Sequence, residues 1–202
     1  MKLHSKVLIL LGALSLSGCL SPVKTDPVNT YEITTVPSHI PVSRMRSTTL
    51  LVTQPDTSPA YNTANMAYSM RPYQLSYFSQ NRWSETPSQM LLPLIVQTLQ
   101  NTHYFHAVVT PPFSGRYSYV LSTQITKLQL DYTHRPALLR LAINAQITST
   151  MSNQIIAAKQ FSVTEPIRQG TPYSGVFAAN KATAKLLTQL TEFSLKNTGR
   201  QN

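Results

Sequence analysis

The stretch from Tyr117 to Pro166 alternates in apolar character almost without a break, and it constrains the fold of this 202-residue chain more than any other feature. In Ala137–Thr150 ("ALLRLAINAQITST") the residues Leu139, Leu141, Ile143, Ala145 and Ile147 occupy every second position. Successive side chains of a strand point to opposite faces, so this spacing predicts a strand with one buried face. Tyr117–Thr133 repeats the pattern through Tyr119, Leu121, Ile125, Leu128 and Leu130, but its phase slips once between Leu121 and Leu130. One extra residue in a strand produces that slip, so a β-bulge is predicted near Thr126 or Lys127. Gln154–Pro166 is a third run, separated from the second by "MSN". Connections this short join antiparallel neighbours, and the three runs predict an antiparallel meander with one face on a core.

The rest of the chain supplies shorter strands and two helices. Tyr31–Val36 ("YEITTV") and Thr48–Gln54 ("TTLLVTQ") are rich in β-branched residues and read as strands, with Pro37 and Pro41 in the loop between them. Asn65–Arg71 and Tyr73–Gln80 form a hairpin that turns near Arg71 and Pro72. Phe105–Val109 is a further strand. In Ser84–Thr102 the period becomes helical: Ser84 or Thr86 can cap the helix, Pro87 suits its first turn, and Met90, Leu91, Leu94, Ile95 and Leu99 form the apolar stripe. Pro93 removes a hydrogen bond from that helix and predicts a bend or a late start. In Tyr173–Asn197 the residues Ala178, Ala182, Leu186, Leu190 and Phe193 lie on one side, with Lys181 and Lys185 off the stripe. The order predicts an α+β domain: a mostly antiparallel sheet with two helices packed on one face.

The single cysteine lies ahead of all this. Lys2 and Lys6 precede the apolar run Val7–Leu16, which is the layout of a secretory signal. The run is short of the roughly 20 apolar residues that span a bilayer. Leu16, Ser17, Gly18 and Cys19 then resemble the lipobox of bacterial lipoproteins. That resemblance implies cleavage between Gly18 and Cys19, acyl chains on Cys19, and attachment to a membrane without spanning it. Leu20 rather than an aspartate follows the cysteine, which resembles an outer-membrane address, with the body facing the periplasm. Four segments are expected: a signal peptide over 1–18, a lipidated tether over 19–30 carrying Pro22 and Pro27, a folded domain over 31–197, and a tail over 198–202. With Cys19 consumed no thiol remains for a disulfide, so the core must rest on apolar burial.

Charge and composition narrow the function. Met1–Gly18 holds two of the 17 basic residues and none of the seven acidic ones, which leaves a formal charge of +8 on the remainder. The positive residues are scattered rather than clustered, so nucleic acid is not an expected partner; anionic headgroups or an acidic protein fit better, and the equal alternative is simply a basic surface that keeps the domain soluble. The acids Asp26, Glu32, Asp56, Glu85, Asp131, Glu165 and Glu192 are isolated in sequence. His103 and His106 straddle a helix end and a strand start with no acid or thiol beside them, so no metal site is expected. No nucleophile elbow or phosphate-cradling loop is present, and only six glycines are available to build one. The expectation is a non-enzymatic protein without a cofactor.

The densest aromatic stretch is Tyr73–Trp83 ("YQLSYFSQNRW"), where Arg82 adjoins the only tryptophan. Aromatic rings with a guanidinium make good interface anchors, so Tyr77, Arg82 and Trp83 are candidate interaction residues; the simpler reading is that the rings complete the core. The succession "YEITTV", "LLV", "MAYSM", "LSYFSQNRWSETPSQMLLPLIVQTLQ", "YFHAVV", "YVLSTQITKLQLDY", "LRLAINAQI" and "KQFSV" resembles the ABC-type transport auxiliary lipoproteins over nearly the whole of Tyr31–Leu195. The resemblance implies an outer-membrane lipoprotein working with an ABC transporter and a membrane-anchored protein of the mammalian-cell-entry (MCE) type. Such machinery moves phospholipids or other hydrophobic molecules between two membranes, and the lipoprotein would dock it at the outer membrane, in some cases as a ring. The alternative is a structural or pilotin-like assembly lipoprotein of a secretion or envelope complex.

Overall fold

The computed structural model describes residues 27–42 and 44–199. The signal, Cys19 and most of the tether lie outside them. The elements are β1 (Asn29–Tyr31), β2 (Arg46–Val52), β3 (Asp56–Thr57), β4 (Asn65–Ser69), β5 (Ser76–Trp83), α1 (Pro87–Gln100), β6 (Phe105–Val109), β7 (Tyr119–Asp131), β8 (Leu138–Ser149), β9 (Gln154–Pro166) and α2 (Pro172–Thr198).

The long strand β7 organises the sheet. Along one edge it pairs antiparallel with β8 from Tyr119↔Ser149 to Asp131↔Leu138, and β8 pairs antiparallel with β9. Along its other edge three shorter strands line up in tandem, all parallel to it: β2 at Tyr119–Leu121, β3 at Gln124–Ile125 and β4 at Gln129–Asp131. β6 extends the sheet beyond β2, and β5 followed by β1 extends it beyond β4. The three alternating runs therefore form the predicted meander. The sheet is mixed, however, not mostly antiparallel: among the described residues only β4–β5, β7–β8 and β8–β9 are antiparallel pairings. Period-two spacing identifies a strand and its buried face but says nothing of its direction, which here is set by the long excursion through β5, α1 and β6 before β7 begins.

The bulge is where the phase slip places it, between Ile125 and Lys127. The hairpin β4–β5 also forms as predicted, although β5 runs on to Trp83. The expected strand Tyr31–Val36 is mostly not one, since only Asn29–Tyr31 pairs, against the end of β5. Beyond Tyr31 the chain is held by a side chain instead. Asn180 of α2 accepts the amides of Thr34 (2.9 Å) and Thr35 (3.1 Å), accepts the Thr35 hydroxyl (2.8 Å), and donates to the Glu32 carbonyl (3.1 Å).

The helices share one core with the sheet. Leu139, Leu141, Ile143, Ala145 and Ile147 of β8 are buried, as are Ala178, Ala182, Leu186 and Leu190 of α2 and Met90, Leu91, Leu94, Ile95 and Leu99 of α1. Thr86 is the N-cap of α1, with its amide donating to the Gln89 side chain (3.1 Å). The helix is continuous from Pro87, so Pro93 does not delay its start. Pro93 lies on the exposed side, and so does Gln89, whose carbonyl would have accepted the missing bond. Water can serve that carbonyl there, which limits the cost of the proline. Gly175 is required by close approach: a Cβ on it would come within 2.3 Å of the Leu130 side chain. That contact sets α2 down directly on β7.

Candidate interaction surface

The three residues singled out from the aromatic stretch part company in the structure. Trp83 is 1 % exposed and belongs to the core. Its amide donates to Ala64 (2.7 Å), and it pairs in register with Tyr31. Arg82 is exposed, with its Nε donating to the Trp83 carbonyl (3.4 Å). Tyr77 is exposed, and its hydroxyl donates to the Ala60 carbonyl (2.8 Å). Of the other rings, Phe78 stacks obliquely on Tyr68 with centroids 4.3 Å apart, and both meet Tyr132 edge-on. Trp83 and Phe78 thus complete the domain, while Tyr73, Tyr77 and Arg82 are left on its surface. His103 and His106 are both exposed, and among the described residues no three His, Cys, Asp or Glu side chains come together as a metal site. Cys19 and Gly18 lie outside the described residues.

Two buried carboxylates carry the strongest local electrostatics. Asp131, at the end of β7, accepts the Arg140 Nε (2.6 Å) and both the amide (3.0 Å) and hydroxyl (2.5 Å) of Thr133. Burial pushes its pKa up, but the hydrogen bonds from Thr133 and Arg140 and the Arg140 charge outweigh burial and hold it at about 2. A carboxylate with a depressed folded-state pKa adds stability above its unfolded value and loses it as pH falls through the folded one. Replacing Asp131 with asparagine is therefore expected to cost about 2 kcal/mol at neutral pH. The difference from the wild type should close between about pH 4 and pH 2. Urea titrations of the detergent-solubilised chain at both ends of that window check the prediction.

The second carboxylate is Glu165, near the end of β9. It follows Phe161 and Val163 in the core-facing phase and is 1 % exposed. Two lysines one turn apart on α2 reach it: Lys181 at 3.0 Å, and Lys185. Burial again raises the pKa, and the ammonium groups of Lys185 and Lys181 bring it below the usual carboxylate range. The sequence held a signal for this pair, since an acid in the apolar phase of a strand must find a partner. The i, i+4 lysines beside the α2 stripe were the complementary half. Nothing in the sequence pointed to Asn180 as the residue that fastens Glu32–Thr35.

Beyond this ion pair α2 carries exposed rings. Tyr173 (57 % exposed) and Phe177 (64 %) meet edge to face with centroids 5.0 Å apart. Tyr173 also packs against Tyr31 at 5.9 Å. Arg168, Asn180 and Lys181 complete an open groove of about 690 Å³ around them. No helix of the described residues is long and apolar enough to cross a membrane.

Solved structures share this fold. Protein XCC0632 from Xanthomonas campestris, assigned to the family model DUF330, superposes with a TM-score of 0.78 at 18 % identity, over 85 % of this chain and 97 % of that one. An uncharacterized protein superposes with a TM-score of 0.69 at 12 % identity, over 84 % and 99 %. The hypothetical protein CT253 from Chlamydia trachomatis gives 0.53 at 6 % identity, over 75 % and 98 %. At these identities the likeness concerns the fold alone. No curated protein matches the chain. The model of one sequence family does match it, over residues 31–191, the span from the end of β1 into the last turns of α2. The chain belongs to that family, the ABC-type transport auxiliary lipoprotein component.

Proposed function

We propose that the protein is a non-enzymatic outer-membrane lipoprotein that serves an MCE-type ABC transport system for lipids or other hydrophobic compounds. The family match over residues 31–191 carries this reading, because it gives the chain an auxiliary role beside an ABC transporter. The Leu16–Cys19 lipobox supplies the anchor, and Leu20 supports the outer membrane as its address. In this reading residues 1–18 are removed and acyl chains on Cys19 enter the periplasmic leaflet. The segment 19–30 is the tether, and the domain over 31–197 docks the periplasmic MCE-type protein, with Tyr77 and Arg82 as exposed contacts and a ring of copies as one arrangement. Cargo would pass through its partners; the domain needs no cofactor for this.

The test is crosslinking in cells with the natively lipidated chain, followed by purification and mass spectrometry of the attached proteins. Recovery of an MCE-type protein together with transporter subunits is the expected result. Recovery of secretion or pilus components without any transporter subunit would replace this reading with that of an assembly lipoprotein.

A further inference from the structure

We propose that the groove around Tyr173 and Phe177 is the membrane-facing surface of the domain, resting on the anionic phospholipid leaflet that holds the acyl chains. The inference rests on the lipid-anchor reading of Cys19 and adds an orientation to it. Its first support is where the chain leaves the domain. β1 begins at Asn29, Val28 before it is half exposed, and Tyr31 at its end packs on Tyr173. Only Leu20–Pro27 separate Val28 from Cys19. A fully extended chain gains at most about 3.3–3.6 Å per residue, so this segment confines Val28 to within about 30 Å of the lipidated residue. Whatever surface surrounds Val28 and Tyr31 is thus the part of the domain held nearest the bilayer.

The second support is the chemistry of that surface. Tyr173 and Phe177 present two large rings, and rings of this kind settle at the boundary between headgroups and acyl chains. Arg168 and Lys181 line the groove with them, Lys185 follows one turn beyond Lys181, and buried Glu165, which both lysines reach, balances only one of these three charges. Cations beside exposed rings fit an anionic headgroup layer. The nearby acids Glu32 and Glu85 line a different notch, together with Gln89 and Pro93 of α1. The charge on the two sides of the tether therefore tilts the α2 side, not the α1 side, toward lipid. Asn180 fixes the tether's entry to this same face through its four bonds to Glu32–Thr35.

The geometry also says which part stands away. β9 runs from the turn at Met151–Asn153 to Pro166 beside the groove. Thirteen residues of strand span about 40 Å, so the β8–β9 turn lies at the far end of the domain from this surface. Met151 in that turn is 91 % exposed.

The experiment uses the natively lipidated full chain in vesicles of phosphatidylethanolamine and phosphatidylglycerol. With Cys19 acylated, an introduced cysteine is the single free thiol. An environment-sensitive fluorophore is attached at Gln169→Cys, in the groove, or at Met151→Cys, in the distant turn. The expected result is a blue shift at the first position, with quenching by headgroup nitroxide lipids, and neither at the second. Adding Tyr173→Ser and Phe177→Ser should abolish the shift while the protein still floats with the vesicles. Flotation with both positions equally water-exposed would overturn the proposed orientation and leave the anchor standing; the groove would then be free for a protein partner. A native chain that fails to float at all would overturn the anchor and this proposal together.

Discussion

Cells whose only copy of the protein carries Cys19→Ala are expected to lose it from the outer-membrane fraction and to accumulate a precursor that still holds Met1–Gly18. The expected effect is close to complete, for a physical reason. Each buried methylene contributes about 0.8 kcal/mol, and a single acyl chain gives only marginal, reversible attachment. The chains on the cysteine act together, so removing their one point of attachment removes all of that energy at once. What remains on the domain is the contact of Tyr173, Phe177 and the surrounding cations, which is peripheral in kind. No helix of the described residues could substitute as a membrane span. Fractionation with intact mass measurement reads both changes. A variant that still fractionates with the outer membrane at its mature mass would defeat the anchor reading.

The domain was legible in the sequence where a residue's role depends on its immediate spacing. The β7–β9 meander, its bulge and both helices follow from apolar periodicity, because burial of one face acts on residues two, three or four apart, and the β4–β5 hairpin follows from the turn signal at Arg71 and Pro72. Strand direction depends on the whole path of the chain, so the parallel pairings were not legible. Tyr31–Val36 shows the same limit in another form. Its β-branched residues suit a strand, but among the described residues no strand pairs with it beyond Tyr31, and a single asparagine almost 150 positions later holds its backbone. The candidate surface divides in the same way. Burial of Trp83 agreed with the simpler reading of the aromatic stretch, while the rings of Tyr173 and Phe177 gave no signal of their own. They open a helix whose stripe is plainly core, and it is packing, of Tyr31 on Tyr173 and of Asn180 on Glu32–Thr35, that connects them with the start of the domain.

Trp83→Ala is the substitution expected to cost the fold most, about 3–5 kcal/mol, as for large aromatic residues removed from other cores. Domains of this kind are stable by about 5–15 kcal/mol, so the loss is a large share of the whole. Three elements meet at this residue. It closes β5, lies in register with Tyr31 where the tether enters, and stands three residues before Thr86, the N-cap of α1. The Ser84 amide donates to the Tyr31 carbonyl (2.7 Å), so a cavity here also loosens the junction that holds β1. Trp83→Phe keeps an aromatic ring and should cost markedly less. Arg82→Ala, one residue away on the surface, should leave stability within about 0.5 kcal/mol. Denaturant titrations followed by far-ultraviolet circular dichroism compare the three, since the variant lacks the only tryptophan. If Trp83→Ala unfolds at the wild-type midpoint but recovers no transport subunit after crosslinking, the indole belongs to an interface and its burial here is not its working state. If Arg82→Ala alone loses the partner while the fold is kept, contact with the partner resides at the exposed end of β5, with Trp83 as the support beneath it.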